Sequence, residues 1–152
     1  MKTLDDPLRW LLLHPERFFR SEMPNGRDLA EWVRADAMLS GSSDVLVHNV
    51  DDFWVVAAPT SWLHHNELSP EEMFRRMIPQ PTAGPNSMRG EVLLNAFCSD
   101  VVATVSGKVV FSKGNVATEE LVRRFLRRRP RLEAAIAFRV PSQGSGRKRR
   151  AP

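Results

Sequence analysis

Cysteine is almost absent from this chain of 152 residues, where Cys98 stands alone. A lone cysteine excludes an internal disulfide and fits a reducing compartment. Long apolar runs are missing too, and none approaches the roughly 18 residues that would cross a bilayer as a helix. The chain opens MKTLDDPLRWLLLHPERFF, with Asp5 and Asp6 where a secretion signal carries positive charge. Its apolar run from Trp10 to Leu13 is short for a signal core. These absences predict a cytoplasmic protein that starts near Met1 and has no membrane partner. Motif spacings are equally sparse. The chain has no HExxH or CxxC pair, no phosphate-binding loop with its lysine, and no helix-turn-helix or RNA-recognition signature. No cofactor and no metal are expected.

What is present is ordinary for a globular protein: 42% hydrophobic and 26% charged residues, in a length that suits one domain with a real core. The charge is unevenly placed. Residues 1–118 hold 11 Lys/Arg and 15 Asp/Glu, residues 119–140 hold 7 and 3, and residues 141–152 hold 4 and none. The body is therefore neutral, and the basic surplus belongs to one helix and one tail. The composition predicts a single α+β domain over 1–140 and a disordered basic tail over 141–152.

Local patterns supply the elements. Asp6 and Pro7 cap and open a helix, which Pro15 breaks. After the turn at 24–26, Leu29, Trp32, Val33 and Ala37 share a helical face, with Asp36 inside it. The runs 45–50 and 53–58, joined by Asp51 and Asp52, predict a hairpin whose second strand is central. Ser69, Pro70 and Glu72 form a capping box for a short helix. A proline-rich loop leads to GPNSMRGEVLL (84–94), read as a helix capped by Asn86 or Ser87. The runs 100–105 and 108–111 predict a second hairpin around Ser106 and Gly107. Thr118 is expected to cap a helix over 119–129 that Pro130 stops. In residues 132–140, Leu132, Ala134, Ile136, Phe138 and Val140 alternate with Glu133, Ala135, Ala137 and Arg139, a period of two that reads as a strand, with three alanines making a helix the competing reading. Together these predict a mostly antiparallel sheet of about five strands, two hairpins plus a C-terminal strand, packed with helices.

Two places could carry chemistry. At the 84–94 motif a helix N-terminus offers free N–H groups and partial positive charge. Asn86, Ser87 and Arg89 are accordingly a candidate anion site, weighed against a capped helix with a solvated arginine. A hydrolase or transferase pocket there would join Ser87 and Arg89 to His64 or His65. Histidines 64 and 65 with Glu67 make a weak metal set, since adjacent loop histidines seldom share an ion. Cys98, at a helix C-terminus, reads as a buried small residue, and Trp62 as one that folds back onto the core.

The stronger signal is EELVRRFLRRRPR (119–131). Leu121, Val122, Phe125 and Leu126 share one face, and Arg123, Arg124, Arg127, Arg128 and Arg131 lie mostly outside it. Glu119 with Arg123 and Glu120 with Arg124 have ion-pair spacing, and the other three arginines lack such a local partner. The tail adds Arg147, Lys148, Arg149 and Arg150. Arginine suits bidentate contact with carboxylate or phosphate. The leading expectation is a non-enzymatic adaptor that docks an acidic protein through these arginines. The rival is a sequence-independent nucleic-acid binder using the same groups.

Overall fold

Helix α1 (Pro7–Leu13) begins as its sequence dictates, with the Asp6 side chain accepting the Arg9 N–H at 3.2 Å and Pro7 in the first turn. The computed structural model describes residues 6–19, 24–65, 67–80, 87–115 and 117–141. A single 3₁₀ turn at Pro15–Arg17 precedes α2 (Gly26–Leu39). The hairpin β1 (Leu46–Val50) and β2 (Phe53–Ala58) follows, then α3 (Pro70–Met73) and α4 (Glu91–Phe97). The second hairpin is β3 (Asp100–Val105) and β4 (Lys108–Lys113), and α5 (Ala117–Arg127) and β5 (Ala134–Arg139) complete the order.

The five strands form one antiparallel sheet in the order β1-β2-β5-β3-β4. The fold is α+β. β5, last in sequence, inserts between the hairpins and takes the middle position, while β2 is interior beside it. Strand wins over helix at 134–139 because both neighbours pair with this segment and both of its faces are buried. Ala134, Ile136 and Phe138 enter one core; Ala135 and Ala137 enter the other. Asp51 (φ 57°) turns the first hairpin, and Ser106 (φ 53°) with Gly107 (φ 79°) turns the second.

The two sheet faces are covered unequally. One meets α1, α2, α4 and the loop carrying Trp62, forming the larger core with Val56, Val101, Ile136 and Phe138. The other meets α5, whose Val122 and Phe125 pack on Val55, Ala57, Val102, Ala135 and Ala137. The small alanines under α5 leave room for the Phe125 ring.

Two helix starts differ from the sequence expectation. α4 begins at Glu91 behind Gly90, with no side-chain cap. Residues 87–89 are held extended instead, by Arg89 N–H to Ile78 O and Gln80 N–H to Ser87 O, both at 2.8 Å. α5 begins two residues early, where Asn115 Oδ1 accepts the Ala117 N–H at 2.8 Å. Thr118 is buried and its hydroxyl makes no hydrogen bond, so it is not the cap. Ser69 and Glu72 do form the reciprocal capping box. No described helix is long and apolar enough to cross a membrane.

Candidate functional site

The 84–94 motif leads inward. Of its candidate anion site, Asn86 lies outside the described residues, and Ser87 takes part in the pairing with Gln80. Arg89 is 3% exposed. The anion it meets is the chain's own Glu91, which accepts from Nε at 3.1 Å and from Nη2 at 3.0 Å. Arg89 also donates to the Trp62 carbonyl at 3.0 Å and the Ser40 hydroxyl at 3.3 Å. The Trp62 indole donates to the second Glu91 oxygen at 3.2 Å. This two-toothed, fully partnered geometry is what a buried ion pair requires.

A second carboxyl completes the cluster. Asp36, the polar residue inside the apolar face of α2, is buried and accepts the Gly90 N–H at 2.6 Å. Burial first, and then the Glu91 carboxylate, push Asp36 up to about 7, against the Gly90 N–H, the Arg89 charge and the Gln80 side chain. A protonated Asp36 leaves Arg89 and Glu91 as a balanced pair. Trp32 closes the cluster by donating to the Met88 carbonyl at 3.0 Å. The cluster thus ties α2, the Trp62 loop and α4 together. Its partners were illegible in the sequence, where only Asp36 on an apolar face gave a signal.

Gly90 is required where these groups converge. A Cβ there would lie 2.8 Å from Trp32 Cδ1 and 3.2 Å from Asp36 Oδ2. Gly90→Ala is therefore expected to lower stability by about 1–3 kcal/mol, the usual cost of overpacking. Urea unfolding followed by tryptophan fluorescence measures it, and an unchanged midpoint would show that the ring has room to move.

The arginines of α5 divide into two sets. Arg123 pairs with Glu119 at 2.8 Å, at the expected spacing. Glu120 pairs with Arg127 at 3.1 Å rather than with Arg124, so Arg127 does have a local partner. The side chains of Arg124, Arg128 and Arg131 are exposed and make no hydrogen bond or ion pair with any described residue. Arg129, which sequence reasoning passed over, lies over the Phe125 ring at 3.9 Å and donates to the Phe125 carbonyl at 3.1 Å. Its stem extends the apolar packing while its charge stays at the rim.

Beyond α5 the chain turns back toward the sheet and encloses a groove of about 470 Å³. Leu46, Pro59, Pro130 and Leu132 line it with Arg128, Arg129 and Arg131, and Asp44 stands beside them. A second groove of about 370 Å³ flanks α5 on the β3–β4 side, beside Arg123, Arg127 and Thr104. Its two arginines are the ones already paired with glutamates. The tail residues Arg147, Lys148, Arg149 and Arg150 lie outside the described residues.

The remaining candidates fall elsewhere. Trp62 is fully buried. Burial pushes the Cys98 thiol up, the opposite of what a nucleophilic thiolate needs. His65 and Glu67 border an open depression with Glu72 and Arg76, and no described group of three or more His, Cys, Asp or Glu could hold a metal. No protein-family model, no curated protein and no solved structure matches this chain.

Proposed function

We propose that the chain is a non-enzymatic binding module of a cytoplasmic multi-protein system, docking an acidic protein through Arg124, Arg128 and Arg131. One observation carries the reading: these three guanidiniums have no hydrogen-bond or ion-pair partner among the described residues, and two of them rim an apolar-floored groove. Unpaired arginine beside apolar surface is the composition of an interface anchor. The apolar floor favours a protein over nucleic acid, because Leu46, Pro59 and Leu132 can accept side chains but offer nothing to phosphate. Arg123 and Arg127, neutralised by Glu119 and Glu120, contribute less.

The test is a pull-down from native lysate at two salt concentrations, with and without nuclease. Capture of a specific protein is expected to survive nuclease. The double variant Arg128→Glu, Arg131→Glu is expected to weaken it by at least about tenfold, since rim charges and partly desolvated pairs both reverse sign. Capture that vanishes with nuclease assigns the arginines to nucleic acid instead. Equal capture by the variant removes them from the interface.

A further inference from the structure

The groove at Arg128 and Arg131 opens onto a border of the sheet, because Leu46 belongs to the outermost strand. The pairing register tells which backbone groups of β1 are spent. Val50 opposes Phe53 across a two-residue turn, so this pair exchanges hydrogen bonds, as do His48 with Val55 and Leu46 with Ala57. The N–H and C=O of Val47 and Asn49 therefore point away from β2, along the open border.

The two borders of the sheet differ. β4 begins and ends in lysine, and its pairing with β3 is interrupted by a register shift between Ala103 and Thr104. Lysines and bulges are devices that discourage strand addition. β1 has no lysine, no proline and an unbroken register from Leu46 to Val50. Its charges lie at its ends. The arginine-rimmed groove adjoins Leu46, while Asp51 and Asp52 turn the hairpin at the far end. Asp52 is partly occupied by Arg139 at 3.5 Å, and Asp44 offsets some of the cationic charge at the groove.

We infer that the acidic partner binds as an extended segment, adding a sixth strand to β1 and placing its carboxylates on the α5 side against Arg128 and Arg131. This deepens the docking reading above and rests on it. Main-chain bonds to Val47 and Asn49 supply register, and the groove reads alternate side chains. A carboxylate at the opposite end would meet Asp51, so the charge must sit at the Leu46 end of the added strand.

The experiment selects random 12-residue peptides displayed on phage against the immobilised full chain, then measures the enriched peptide by fluorescence anisotropy. Enriched sequences are expected to alternate apolar residues with Asp or Glu at one end. Val47→Pro deletes an outward donor and no bond to β2, and should raise the Kd about tenfold or more. Hydrogen exchange on the unaltered protein gives a readout that needs no variant: the amides of Val47 and Asn49 should gain protection when the peptide binds. Strand addition is overturned if those amides keep exchanging, or if Val47→Pro binds normally. Binding that still falls in Arg128→Glu, Arg131→Glu would then leave acidic docking intact. Enriched peptides that lack acids and ignore that double variant would overturn the docking reading itself. A dimer of the protein alone that Val47→Pro abolishes gives the border to a second copy and also overturns the inference.

Discussion

Glu91→Gln is expected to destabilise the protein by about 3–5 kcal/mol, the usual cost of leaving a buried charge without its counterion. Glu91 has no exposed surface, and it accepts from Arg89 Nε, Arg89 Nη2 and the Trp62 indole. The amide nearly preserves shape. It removes the charge, however, and turns an NH₂ toward donors that need an acceptor. A loss of this size is a large part of the roughly 5–15 kcal/mol that holds a typical domain together. Urea unfolding followed by tryptophan fluorescence and circular dichroism measures it. The pair Arg89→Met with Glu91→Leu should cost less than Glu91→Gln alone, since removing both charges leaves none to compensate. Should the single variant unfold at the wild-type midpoint, the buried pair is not what joins α4 to the Trp62 loop.

Stability is also expected to fall as pH rises from about 4 to 7. Asp36 is raised from 3.8 to about 7 in the folded protein. A group raised on folding stabilises fully below its unfolded value and loses that contribution as pH climbs through its folded value. The whole effect is on the order of 4 kcal/mol at about 1.4 kcal/mol per unit. Burial is the main cause and the neighbouring Glu91 carboxylate the second. Asp36→Asn keeps an oxygen for the Gly90 N–H and removes the titration. Its stability should therefore vary much less over this window and exceed the wild type's near pH 8. Denaturation midpoints at pH 4.5, 6 and 7.5 decide it; parallel wild-type and variant profiles would exclude Asp36 as the source. Below pH 4 another group acts in the opposite direction. Burial pushes Asp100 up, but the Asn115 N–H, Arg139 and Ser99 outweigh it and hold its carboxyl below the usual range, so acid removes its contribution.

Much of the architecture was legible because its signals are local. The capping box at Ser69 and Glu72, the start at Asp6 and Pro7, and both two-residue hairpin turns depend on neighbours in sequence. The 134–139 segment was legible through its period of two, although its alanines also suit a helix. The paired arginines were legible where the spacing is four, as with Glu119 and Arg123. They were misread where the pair spans seven residues, as with Glu120 and Arg127. Arg89 was the least legible of the candidate residues. Its sequence neighbours suggest a helix start facing solvent, whereas its partners come from Ser40, Trp62 and Glu91.

By itself, then, the sequence determined the element types, the α+β class and the concentration of basic charge near α5, since each follows from periodicity, turn chemistry or composition over a few neighbouring residues. Tertiary structure alone decided that β5 is the middle strand, that Arg89 is buried on Glu91, and that Arg124, Arg128 and Arg131, unlike Arg123 and Arg127, have no ion-pair partner among the described residues. Strand order and burial are set by contacts between segments tens of residues apart: β5 arrives between the hairpins, and Ser40 and Trp62 close over the neighbouring Arg89 and Glu91. Within α5 the pairing depends on which of several reachable glutamates an arginine meets, and spacing alone does not choose between them.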